Sequence, residues 1–132
     1  MSGPACVASG DRRSGDVDRR RIGATAEAAA ARALGERGYV IVARNVRLRG
    51  GEIDLVCRHR ETFVFCEVKA RRPSSFGVAV ESLTREKRRR LERLAETYLA
   101  RVGRRDAPFR LELVAVELAG GEPEAVRLVP FG

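Results

Sequence analysis

Two runs of strand-forming residues, 52–58 and 62–70, separated by a short polar turn, constrain this chain more than anything else in it. Their Val, Ile, Leu and Phe content favours extended structure, and the short gap ties them into an antiparallel hairpin. Yet the first run carries Glu52 and Asp54, and the second Glu67 and Lys69. Charge inside an otherwise apolar strand is costly unless it has a partner or a task. Alternation places Glu52, Asp54 and Val56 on one face of the first strand and Ile53, Leu55 and Cys57 on the other, and it groups Phe63, Phe65, Glu67 and Lys69 in the second. Closing the hairpin around residues 59–62 sets Asp54 opposite Glu67 and Glu52 opposite Lys69, with opposed Cβ atoms roughly 4.5–5.5 Å apart. Two carboxylates that close repel each other, and a shared divalent cation is the ordinary remedy.

The rest of the chain supplies a frame for that hairpin. Its 132 residues suffice for one core but not two. Residues 1–20 read as a disordered, basic-leaning tail and residues 21–132 as a single domain. Residues 24–37 are Ala-rich and form a helix that Gly38 closes. Glu27 heads its apolar stripe of Ala30, Ala31 and Leu34, so it either approaches a buried base or metal or simply complements the helix dipole. Residues 39–45 form a strand and residues 47–51 a basic Gly-Gly turn. Residues 71–77 form a loop, and Thr84 caps a second helix running to residue 101. That helix has Leu91, Leu94, Ala95, Tyr98 and Leu99 on one stripe, with Val102 one turn on. Lys87 lies in line with it, while Arg88, Arg89 and Arg93 fan outward. Residues 109–118 and 125–129 are the last strands. Helix, three strands, helix and two strands imply an α/β fold with a mixed central β-sheet flanked by helices.

Lys and Arg number 26 against 18 Asp and Glu, a formal charge of +8, which favours a polyanionic partner. Nothing approaches the roughly 20 apolar residues of a membrane span, so no membrane partner is expected. The three cysteines, Cys6, Cys57 and Cys66, lack the spacing of a zinc site or a disulfide framework, which points to reduced thiols and a cytoplasmic location. His59, the sole histidine, sits at the hairpin turn without a partner at ligand spacing and receives no role.

An Asp followed on the next strand by Glu-x-Lys resembles the PD-(D/E)XK nuclease superfamily, whose core is restriction-endonuclease-like. Residues 23–116 more closely resemble the YraN-like family of small bacterial proteins, which are similar to Holliday-junction resolvases. The elements that carry the resemblance are Gly23 and Glu27, Gly38-Tyr39 leading to Arg44-Asn45, Gly51 to Leu55, Glu67-Val68-Lys69 with Arg71, Phe76-Gly77, and Lys87. Three positions, in two elements, depart from the family pattern. The usual Arg-Phe-Asp of a late strand reads Arg110-Leu111-Glu112, and Cys66 stands where Val is usual.

The resemblance implies Asp54, Glu67, Lys69 and Glu27 as catalytic residues, with Asp54, Glu67 and Glu27 toward Mg²⁺ or Mn²⁺. Hard oxygen donors suit such ions. Lys69 would position or deprotonate the attacking water or stabilise the charge of the transition state; a salt bridge to Glu52 or Asp54 is its plain alternative. Glu52 is a weaker candidate ligand. Arg44, Arg47, Arg49, Arg71, Arg72, Arg85, Lys87, Arg88, Arg89 and Arg90 gather around the hairpin and the second helix, as a rim tracking phosphates would. With five Phe, two Tyr and no Trp there is no aromatic strip for stacking bases, so backbone shape in duplex or branched DNA is the expected target. The expected function is therefore a divalent-metal-dependent endonuclease acting on DNA. The alternatives are a non-catalytic DNA-binding accessory protein in recombination or DNA uptake, and a protein-interaction module. A homodimer would suit branched DNA, although no self-complementary face is identified.

Overall fold

The structure, a computed structural model, describes residues 12–72 and 84–131. Among these the chain runs α1 (Arg12–Glu36), β1 (Val40–Leu48), β2 (Gly51–His59), β3 (Thr62–Arg71), α2 (Arg85–Arg101), β4 (Phe109–Ala119) and β5 (Glu122–Pro130). The order of elements is the one expected. Residues 1–11 of the expected tail, with Cys6, and most of the expected loop, with Phe76-Gly77, lie outside the described residues.

Helix α1 begins at Arg12, not at residue 24, so residues 12–20 of the expected tail are helical. No proline interrupts this stretch, and the Ala-rich half gives the Arg-rich half a helix to extend. Arg19, Arg20, Arg21 and Ile22 are all exposed. At the other end Gly38 takes φ 87°, and the amides of Gly38 and Tyr39 donate to the carbonyls of Gly35 and Leu34 at 3.1 and 3.0 Å. That left-handed residue is the stop expected from sequence. Helix α2 starts at Thr84, whose hydroxyl accepts the Lys87 amide at 3.1 Å. Its buried residues are Leu91, Leu94, Ala95, Tyr98 and Leu99. Val102, expected to continue that stripe, is instead the exposed C-cap, because the helix ends before another buried turn can form.

The five strands form one sheet in the order β1-β2-β3-β4-β5. Neighbours are antiparallel except β3 and β4, which are parallel and require a crossover; α2 lies within it. Each face carries one helix. Leu91, Leu94, Ala95, Tyr98 and Leu99 of α2 pack on Phe63, Phe65, Leu111 and Leu113, while Ala26, Ala30 and Leu34 of α1 pack on Cys57, Val64, Cys66, Val114 and Val116. Alternation along β3 and β4 produces this division. Among the described residues β1 and β5 are the edge strands, and Val40 and Val42 on β1 are 63% and 42% exposed.

The hairpin has the expected register, with Leu55 opposite Cys66 and His59 opposite Thr62. Two expectations fail: the ladder stops at Leu55 and Cys66, so Asp54 is not paired opposite Glu67 nor Glu52 opposite Lys69, and the faces of β2 do not alternate throughout. Ile53 does not share a face with Leu55 and Cys57; it packs beside Val56 under α2. The partners of these two residues on β1, Val46 and Ala43, lie on the same face, and between them Asn45 has φ 49°. A left-handed residue inside a strand rotates the chain out of simple alternation. The alternation of β2 is therefore broken between Ile53 and Leu55, where Asp54 sits.

Candidate functional site

The β2–β3 ladder ends at the pair Leu55 and Cys66, whereas β3 remains paired with β4 through Arg71. Beyond that last pair β2 stays paired with β1 only, and the Asp54 Oδ2 accepts the Val68 amide at 2.7 Å in place of a backbone carbonyl of β2. The break in alternation makes this possible. With Ile53 and Val56 both under α2 and Leu55 on the opposite face, Asp54 is the residue at which the strand turns, and its side chain reaches β3. Glu67 and Lys69 follow on the part of β3 that no longer pairs with β2.

A cavity of about 140 Å³ lies here, lined by Glu52, Asp54, Glu67, Lys69 and Arg90, with Leu91 and Leu94 of α2 as its apolar wall. Asp54 is half-buried, and its pKa is pushed up to about 6. Burial is the main cause; the Val68 amide opposes it, and the charges of Glu27, Glu67 and Glu52 add to it. Glu67 is better supplied. Lys69 Nζ lies 3.3 Å from its Oε2 and an Arg90 guanidinium nitrogen 3.5 Å from its Oε1. The salt bridges expected for Lys69 with Glu52 or Asp54 do not form. Lys69 turns along its own strand to Glu67, and Glu52 pairs with Arg47 across the β1–β2 ladder at 3.5 Å.

Asp54, Glu67 and Lys69 are thus brought together. Glu27 is half-buried on α1, close enough for its charge to act on Asp54, but it does not line the cavity. Among the described residues no three acid, His or Cys side chains converge as a ready metal cluster. Cys66 borders the cavity, but its hydrogen bond with Cys57 and its burial push its thiol up, so the donors on offer are oxygens. Arg47 and Arg49, at the β1–β2 turn, lie at the same end of the sheet as Asp54. So do Arg71 and Arg72 at the end of β3, and Arg85, Lys87, Arg88 and Arg89 at the start of α2. Arg44 lies apart from these, opposite Leu55, on the α1 side. Lys87 is half-buried, whereas Arg88 and Arg89 are exposed, as the helical stripe implied.

His59 is not without partners. Its ring stacks on Tyr39 with centroids 4.5 Å apart, and its Nδ1 lies 3.3 Å from Arg110. Arg110 also donates to the Tyr39 hydroxyl at 2.8 Å and pairs with the buried Glu112 at 3.0 Å. This network ties the starts of β1 and β4 to the end of β2, at the end of the sheet away from Asp54. Its signal in the sequence was the Arg110-x-Glu112 spacing, which puts both residues on one strand face. A second buried acid, Glu117, pairs with Arg127 at 2.6 Å. No helix among the described residues is long and apolar enough to cross a membrane.

The sequence profile of the uncharacterised protein family UPF0102 matches residues 26–116, a span that includes Glu27, Asp54, Glu67 and Lys69. Similar proteins include the UPF0102 protein of Symbiobacterium thermophilum, 50% identical over 98 residues that cover 74% of this chain and 83% of that one. The UPF0102 protein of Hahella chejuensis is 41% identical over 97 residues, covering 74% and 78% of the two chains. That of Nocardia farcinica is 43% identical over 107 residues, covering 79% and 82%.

Proposed function

The chain belongs to the uncharacterised protein family UPF0102, and from that premise we propose that it binds DNA and hydrolyses phosphodiester bonds as a divalent-metal-dependent endonuclease with a PD-(D/E)XK-like core. One observation carries the reading. Asp54 is held in a small polar cavity beside Glu67, where burial first, and then the charges of Glu27, Glu67 and Glu52, push its pKa up to about 6. An excess of negative charge in a partly buried notch attracts a cation.

The donor set fits Mg²⁺ or Mn²⁺. It consists of two carboxylates with a protonated thiol behind them, and hard cations take oxygen ligands. Asp54 and Glu67 would hold the ion, with Glu27 acting on Asp54 from α1. When bound, such an ion supplies neutralisation of the phosphate and a more acidic water. Lys69, at the rim of the cavity, orients that water or steadies the charge that develops on the phosphoryl oxygens. Arg47, Arg49, Arg71, Lys87, Arg88 and Arg89 bind the DNA backbone at this end of the sheet. Branched DNA gripped by a two-fold dimer is the form of substrate and assembly this reading favours, and the buried reduced thiols Cys57 and Cys66 suit a cytoplasmic setting.

A specific observation supports the alternative of a non-catalytic DNA-binding accessory protein. Glu67 already has cations at both of its oxygens, and among the described residues no third ligand converges. A cleavage screen over duplex, flapped, single-stranded and branched DNA, in Mg²⁺ or Mn²⁺ against chelator, separates the two. The endonuclease reading expects metal-dependent cleavage that Lys69→Ala lowers by about 10²-fold or more, with folding and DNA binding preserved. No cleavage of any substrate by the parent protein leaves the accessory role.

A further inference from the structure

Arg90 stands between two cavities of opposite character. One is the acidic notch of Asp54 and Glu67; the other, about 400 Å³, runs along α2 and is walled by Lys87, Arg89, Arg90 and Arg93, with Glu86 its one acid. Arg90 lines both. Its guanidinium lies 3.5 Å from Glu67 Oε1 while Lys69 holds Oε2, so in this state both oxygens of Glu67 face a cation. A carboxylate engaged in that way is a poor metal ligand until one of its partners leaves.

The two partners differ in how easily they can leave. The Arg90 contact is at the outer limit of a hydrogen bond, and its side chain is 52% exposed, so the pair contributes little stability. Lys69 is closer, less exposed and on the same strand as Glu67. Arg90 also projects from a helix whose adjoining groove is already cationic, and a guanidinium fork suits a phosphate as well as a carboxylate.

Resting on the reading of Asp54 and Glu67 as cation ligands, we propose that Arg90 is a metal-displaced phosphate clamp. It neutralises Glu67 in the metal-free protein. When a divalent cation takes that oxygen, the guanidinium is released toward the α2 groove, where it holds a DNA phosphate beside the notch. Metal and DNA then favour one another through a single side chain, and the coupling is reciprocal.

The test is calorimetric titration of Mn²⁺ into the full chain, with and without a duplex oligonucleotide whose phosphorothioate linkages resist cleavage. In the parent protein DNA should raise Mn²⁺ affinity at least about fivefold, the lower range of such couplings. In Arg90→Ala, Mn²⁺ should bind severalfold more tightly without DNA, because the competitor for Glu67 is gone, and DNA should add less than about a twofold gain. Arg90→Lys keeps the charge at Glu67 and should return Mn²⁺ affinity toward the parent value. Arg89→Ala should weaken DNA binding without changing Mn²⁺ affinity in its absence. If the parent binds Mn²⁺ and Arg90→Ala leaves both its affinity and its response to DNA unchanged, the clamp is wrong and the metal site stands. If the parent binds no Mn²⁺, the metal reading of Asp54 and Glu67 falls, and the clamp falls with it.

Discussion

Asp54 keeps its proton in the folded protein at pH values where the unfolded chain has lost it, since burial and three neighbouring acids raise its pKa from 3.8 to about 6. A raised carboxyl pKa destabilises the fold once the group ionises. In the metal-free protein this contribution to stability should fall as pH rises from about 4 to about 6, and stay low above that window. Asp54→Asn keeps an oxygen for the Val68 amide and removes the charge. Urea denaturation in chelator should therefore find the variant more stable by about 1–3 kcal/mol at neutral pH, with the gain vanishing toward pH 4. Saturating Mn²⁺ should reverse the order, stabilising the parent and not the variant. Equal stability of the two proteins at neutral pH would show that Asp54 carries no such load. That Asp54 and Glu67 come to one cavity was legible in the sequence, because a short hairpin fixes register; that the ladder stops at Leu55 and Cys66, leaving Asp54 on the Val68 amide and not paired opposite Glu67, was not. The partners of His59 were not. Tyr39 and Arg110 reach it from other strands, and spacing along one strand carries no information about residues so far away in sequence. Arg90 was legible as one of a basic series, but its contact with Glu67 depends on how α2 docks across the sheet.

At the scale of elements, the irregular backbone of β1 decides where the Asp54 side chain goes. Asn tolerates a left-handed φ better than most residues, and a β-branched residue tolerates it badly. Asn45→Val should cost about 1–3 kcal/mol in denaturant unfolding, while Asn45→Gly should be nearly neutral. If the irregularity at Asn45 aims Asp54, the Val variant should also lose Mn²⁺ affinity beyond what its stability explains; retained affinity would separate the irregularity from the site. The hairpin register up to Leu55 and Cys66 and the α2 stripe from Leu91 to Leu99 follow from local patterns of two and of three to four residues, whereas β1 runs three residues past its expected end, to Leu48, and β5 starts three residues early, at Glu122. The shift of Ile53 to the face of Val56 did not follow from such patterns, because a strict alternation contains no term for a single left-handed residue on the neighbouring strand. The early start of α1 escaped for a related reason. Arg19 to Ile22 are exposed, and no apolar periodicity in the sequence marks the stretch before residue 24.

For the whole molecule, the formal charge of +8 includes a group of cations, Arg47, Arg49, Arg71, Arg72 and the basic start of α2, at the end of the sheet that holds the notch. If that end binds DNA, log affinity should fall linearly with log salt, each neutralised phosphate contributing about −0.9 to the slope. Arg88→Ala and Arg89→Ala together should flatten the slope by up to about 2, as read by fluorescence anisotropy across a salt series. A parent slope near zero would remove nucleic acid as the partner. The edge of the sheet at β1 has a different importance. Val40 and Val42 are exposed there, on a strand whose outer backbone groups have no neighbour in the sheet among the described residues, and flat valine-bearing edges invite addition of strands from other chains. The register shift between Ile41 and Ala43 and the left-handed Asn45 keep this edge from being straight, and Arg44, Arg47 and Arg49 give it like charge. The distortion that turns Asp54 toward β3 thereby also protects solubility. Straightening β1 would risk self-association, visible as light scattering that grows with concentration.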